Sequence, residues 1–270
     1  AITVTWNTVG AQSVSVNYNN GNGCTAATPA VYNVTVNPLP VPTIAGPASA
    51  CVSSTGNVYT TQTGMTGYTW NVTGGTITAG ATTNAITVTW NTVGAQSVSV
   101  NYINGNGCTA ATPAVYNVTV NPLPVPTITG PASACVNSTG NVYTTQTGMT
   151  GYTWNVTGGT ITAGATTNAI TVTWNTVGAQ SVSVNYNNGN GCTAATPAVY
   201  NVTVNPLPVP TIAGPASACV SSTGNVYTTQ TGMTGYTWNV TGGTITAGAT
   251  TNAITVTWNT VGAQSVSVNY

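Results

Sequence analysis

The sequence predicts an all-β fold of tandem antiparallel sandwiches, and three observations carry that prediction. One stretch, AITVTWNTVGAQSVSVNY, stands unchanged at Ala1–Tyr18, Ala85–Tyr102, Ala169–Tyr186 and Ala253–Tyr270, so the chain is an array with an 84-residue period. Within each period apolar residues alternate with Thr, Ser and Asn, the period-2 pattern of half-buried strands. Asn-Gly, Gly-Gly and Pro clusters punctuate runs of strand length, and no run carries a helical period.

The elements follow in order. AITVTWN sets Ile2, Val4 and Trp6 on one face; after the turn TVGA, QSVSVNY sets Val14, Val16 and Tyr18 inward. NNGNGC is a hairpin loop, where Asn-Gly supplies positive φ angles. AVYNVTV is the next strand. Asn37–Pro42 follows, and its prolines at 38, 40 and 42 exclude a central strand, so it reads as a stiff extended linker. Thr43–Val52 reads as an irregular edge segment and NVYTT as a short strand. GYTWNVT is a core strand with Tyr68, Trp70 and Val72 on one face, and Gly74-Gly75 turns into TITAG. Seven short strands at this spacing read as a sandwich of immunoglobulin type. The expected division is 1–40 as the C-terminal half of a repeat, 41–124 and 125–208 as complete repeats, and 209–270 as the N-terminal part of another. An array that opens and closes at the same phase reads as a window of a longer one. A single unit has a small core, with Trp70, Trp90, Tyr68 and Tyr102 as its bulk.

Composition removes most chemistry. The chain has no Asp, Glu, Lys, Arg, His or Phe. No carboxylate or imidazole is available for proton transfer or nucleophile activation, so an enzyme is not expected. Cofactors and calcium cages are not expected either, because hard cations need carboxylates. Without basic patches, neither nucleic acid nor an anionic membrane is an expected partner, and no run is long enough to insert in a bilayer. An uncharged surface has nothing to repel a second copy, and its strand edges lack guarding charges, so self-association into filaments is a candidate behaviour.

The six cysteines fall two per period, at Cys24, Cys51, Cys108, Cys135, Cys192 and Cys219. Pairing within a unit gives Cys51–Cys108 and Cys135–Cys192. Pairing across the linker gives Cys24–Cys51, Cys108–Cys135 and Cys192–Cys219. The first is preferred, since a stiff linker should hold units apart; a loop of about 58 residues is then worth about 4 kcal/mol in the chain-entropy model. It requires the edge segment to double back, because the first and last loops of a plain seven-strand sandwich lie at opposite ends. Disulfides imply an oxidising, extracellular or cell-surface setting. Tyr59 and Tyr116, with their equivalents Tyr143 and Tyr200, are read as alternating out of register with the core valines. They are therefore expected at the surface, as candidates for stacking on polysaccharide. Sequons at Asn33, Asn71, Asn117, Asn137, Asn155, Asn201 and Asn239 allow glycosylation.

The run from Tyr68 through Trp70, Asn71 and Val72 to Gly74-Gly75 resembles the Trp-Asp-Phe-Gly-Asp-Gly signature of polycystic-kidney-disease (PKD) type domains, with Asn in place of the first acid. Ile86–Trp90 and Gly94–Tyr102 are similar to the later Tyr…Pro-Gly and Val-rich run of that family, and Asn104–Cys108 with its following strand also fits. The whole unit resembles the PKD-like repeats of very large Bacteroidota surface adhesins, including the gliding-motility type exported by type IX secretion. The resemblance implies an immunoglobulin/PKD-like sandwich, a cell-surface location and an adhesive or stalk role. Multivalent binding to surfaces or glycans is the other role it leaves open.

Overall fold

The computed structural model describes residues 1–270 and contains only strands. The first 36 residues hold β1 (Gly10–Val16) and β2 (Ala30–Val36), which pair only with each other. The first complete unit contains β3 (Ser49–Cys51), β4 (Asn57–Thr60), β5 (Thr66–Thr73), β6 (Gly75–Ala79), β7 (Ala85–Trp90), β8 (Gly94–Ile103) and β9 (Ala114–Asn121). The second repeats these as β10 (Ser133–Cys135), β11 (Asn141–Thr144), β12 (Thr150–Thr157), β13 (Gly159–Ala163), β14 (Ala169–Trp174), β15 (Gly178–Asn187) and β16 (Ala198–Asn205). The last region holds β17 (Asn225–Thr228), β18 (Thr237–Thr241), β19 (Gly243–Ala247), β20 (Ala253–Trp258) and β21 (Ser265–Asn269).

Each complete unit is a sandwich of a four-stranded sheet, β3-β9-β8-β5, on a three-stranded one, β4-β7-β6. The two sheets share one core. Tyr59, Ile86, Val88 and Trp90 come from the smaller sheet; Ala50, Trp70, Val98, Val100, Val118 and Val120 come from the larger. β7 buries Ile86, Val88 and Trp90 and leaves Thr87 and Thr89 outward, as its alternation predicts. The chain crosses between sheets at Gly74, whose φ of 73° puts it in the left-handed region; a Cβ there would lie 2.1 Å from the Gln96 side chain. The Trp70 indole N–H donates to Thr83 O at 2.8 Å. The Trp90 indole N–H, at the centre of the unit, makes no hydrogen bond.

The edge segment departs from a purely antiparallel plan. β3 lies parallel to β9, with Ser49 opposite Thr119 and Cys51 opposite Asn121. Ala45 bridges to Thr60. The segment therefore switches from the β4 edge of one sheet to the β9 edge of the other, and carries Cys51 to the far end of β9.

Candidate functional site

The tyrosines expected as a surface platform are structural. Tyr59 and Tyr143 are 0% exposed. Their hydroxyls donate to Pro47 O and Pro131 O at 3.1 Å, and each ring stands edge-on to the unit's central Trp. Tyr116 and Tyr200, half-buried, donate to Gly46 O and Gly130 O at 2.7 and 2.8 Å. The reading failed because it set Tyr116 out of register with the core valines, whose parity it in fact shares. Val115 points to solvent, while Tyr116, Val118 and Val120 share one parity and one face. Gly46 is pressed so close to Tyr59 that a Cβ would lie 2.3 Å from its ring. The tyrosine pair thus pins Gly46–Pro47 to the core, and that pinning sets the course of the segment leading to Cys51. Burial pushes the phenols of Tyr59 and Tyr143 above their ordinary value, against a smaller lowering by the nearby ring N–H of Trp90 and Trp174, which approach without hydrogen-bond geometry.

The cysteines pair in a way neither sequence scheme allowed. Cys51 is bonded to Cys192, Cα–Cα 5.6 Å, so the bridge joins the first complete unit to the second. Cys108 and Cys135 are free thiols, as are Cys24 and Cys219. Pairing of Cys51 with Cys108, or Cys135 with Cys192, is prevented by the parallel register. Cys51 lies beside Asn121 at the end of β9, whereas Cys108 lies before its beginning, and eight strand residues span about 25 Å.

The linker explains why Cys51 meets Cys192. Asn121, the last residue of β9, is held by its own unit: its side chain donates to Ser49 Oγ at 2.8 Å. One residue on, the chain belongs to the following unit. Asn188 Nδ2 donates to Pro122 O at 3.1 Å, and Gln146 Nε2 donates to Val125 O at 3.2 Å. Gln146 Oε1 in turn accepts from Thr145 Oγ1 and the Tyr186 hydroxyl, each at 2.7 Å. The preceding linker is fastened in the same manner, Asn104 to Pro38 and Gln62 to Val41. The stiff linker is thus an extension of the unit it enters. Between the two complete units the unfastened joint is Asn121–Pro122, and the disulfide spans it.

Both halves of the clasp are built locally. On one side, Ser53 takes φ 64° and its N–H donates to Trp90 O at 2.7 Å, fixing the turn after Cys51. On the other, Asn188 Oδ1 accepts from the Asn190 and Cys192 amides at 3.0 Å, and Asn188 N–H donates to Cys192 O at 2.9 Å. The signal available in sequence was the Asn-x-Asn-Gly-Cys loop beside a proline linker; what it lacked was the parallel course of β3.

A family model described as a PKD-like domain matches residues 37–118, 121–202 and 205–270. Each match begins at the Asn that precedes a linker, in accord with the linker's attachment to the following unit. No curated protein matches the chain. Among solved structures, fibronectin(III)-like modules of Clostridium thermocellum CbhA match at 14% identity and TM-score 0.33, over 62% of this chain and 95% of that one. Invasin, a bacterial integrin-binding protein, matches at 14% and 0.31, over 94% of this chain and 60% of that one. Surface layer protein SbsC, domains 1–6, matches at 14% and 0.28, over 91% and 40%. Likeness at this level carries no argument about function.

Proposed function

The chain belongs to the PKD-like domain family, and from that premise we propose that it is a spacer: the extended structural stalk of a large cell-surface adhesin, working in an oxidising extracellular setting. The observation that carries the reading is the clasp. Each linker is fastened to the unit that follows, and between the two complete units Cys51–Cys192 crosses the remaining joint, so bending of one against the other is opposed where the backbone between them is free to bend. Stacked units with fixed joints make a quasi-linear object whose reach scales with copy number. Near-identity of the repeats suits a part valued for length. The gliding-motility adhesin type, Bacteroidota and type IX export rest on the sequence resemblance alone.

Small-angle scattering on the oxidised 270-residue chain tests the reading. An elongated particle is expected, with the Cys51→Ser, Cys192→Ser double variant showing a broader distribution of interunit distances and unchanged circular dichroism. A compact, flexible profile for the oxidised chain would overturn it.

A further inference from the structure

The partners of the clasp decide which part of the chain can feel a pull. Cys51 ends β3, and Cys192 lies 141 residues on, in the loop before β16. The bond therefore closes a covalent loop around β4–β9 of the first complete unit and β10–β15 of the second, with the Asn121–Pro122 joint inside it. Of the ten buried core residues in the first unit only Ala50 lies outside that loop, and of the ten in the second only Val202 and Val204. Neither pairing read from the sequence would enclose so much. A bond within a unit encloses one core and leaves the joint open, while a bond across a linker encloses the linker but most of neither core.

We propose that Cys51–Cys192 is a tension bypass. A pull along the chain passes from β3 through the two sulfurs into the loop before β16 and on along β16, and the two cores hang beside that line unloaded. The reason is connectivity: two residues covalently joined with their Cα atoms 5.6 Å apart cannot separate, so no pull on the chain ends extends the segment between them. What stays on the line is pinned or already extended. Residues 43–50 are tied to enclosed strands and their flanks: Thr43 O accepts from Thr61 Oγ1 at 2.7 Å, Ala45 N–H donates to Thr60 O at 2.9 Å, and Ala48 O accepts from Thr119 N–H at 2.9 Å. If these give way, rupture stops at Cys51. β16 is an extended strand, so a pull along it straightens only 193–197 before the sulfurs take the load.

The bypass also explains how hydrogen bonds suffice at the joint. Asn188 to Pro122 and Gln146 to Val125 are single bonds of modest net strength, and both lie inside the covalent loop, where they set the angle between units without bearing the pull. Forced unfolding follows the rate at which a folded unit opens, and a unit off the load line opens no faster when the chain is pulled. The inference rests on the stalk reading only for the source of the tension, and the two fail separately. Scattering reads shape without load, whereas a tethered chain reads length under it.

The test holds the oxidised 270-residue chain by end tags in magnetic tweezers, its free thiols alkylated, and adds a phosphine under load; reduction leaves two thiols and the phosphine oxide. Before reduction, extension should stop short by the enclosed segment, about 500 Å for an extended chain of that length. After reduction the missing length should appear late, in separate steps as the two units open. Release of all of it in one step at the instant of reduction would mean that the enclosed cores had already unfolded under load, and would overturn the proposal. So would an oxidised chain that reaches full length. Cys51→Ser with Cys192→Ser removes the bypass at two residues that belong to neither core cluster. That variant is expected to reach full length without reductant, through the same separate steps. If it stayed as short as the oxidised chain, the bond would not be what limits extension and the proposal would fall.

Discussion

Ala1–Tyr18 and Ala85–Tyr102 have identical sequences and different structures. In the second, Ala85–Trp90 and Gly94–Ile103 are strands of facing sheets; in the first, residues 1–9 form no strand and only Gly10–Val16 pairs. Ile86 is 1% exposed and Ile2 77%; Tyr102 is 2% exposed and Tyr18 68%. Alternation therefore supplies a strand with a preferred inner face but not the surface that face needs. Residues 1–9 pair with no strand as β7 pairs with β4 and β6, and a lone hairpin is marginal in water.

Changes made at equivalent positions should break or sharpen this contrast. The largest effect is expected at the central indole. Trp90→Ala should destabilise the first complete unit by about 3–5 kcal/mol, while Trp6→Ala, at the same place in the repeat, should stay within about 0.5 kcal/mol in urea unfolding followed by near-ultraviolet circular dichroism. Equal losses would mean that the first region is packed as the complete units are.

Next comes Gly46→Ala. Its Cβ meets the Tyr59 ring, so a loss of about 1–3 kcal/mol is expected. The loss should come with slower oxidation of Cys51 to Cys192, measured by thiol titration during refolding, because the same contact steers the edge segment. A variant that loses stability but oxidises normally would separate the tyrosine anchor from the clasp.

A smaller gain is expected where the repeats themselves differ. Ser53, Asn137 and Ser221 occupy one left-handed position, with φ of 64°, 63° and 62°. Ser53→Gly removes the steric penalty and should stabilise the first unit by about 0.5–1 kcal/mol in thermal unfolding.

The least response is expected on the pH axis. Burial raises the phenols of Tyr59, Tyr102, Tyr143 and Tyr186, which lie in the complete units. Each holds its proton more tightly folded than unfolded, so its contribution is whole below the ordinary tyrosine value of about 10 and is lost as pH rises through the folded value. Urea midpoints should be flat from acid to neutral pH and fall only in strong alkali. Tyr59→Phe with Tyr143→Phe should flatten that fall, and an unchanged slope would assign it elsewhere.

The sequence by itself determined the period, the strands, the sandwich and the chemistry that is excluded, because alternation, turn residues and composition act locally. Trp70, Trp90, Val98 and Val118 were legible as core from their parity. Tyr116 was equally legible, since it shares the parity of Val118 and Val120. Tyr59 was less so, because β4 has only four residues to set a phase. The tertiary structure alone decided the cysteine partners. That choice depends on an edge segment changing sheets to run parallel to β9, and on a linker hydrogen-bonded to the unit ahead of it. Both are contacts between segments far apart in the chain, and repeat spacing leaves them undetermined: the same period allows Cys51 to face Cys24, Cys108 or Cys192, and only the packed sandwich places one of them within bonding distance.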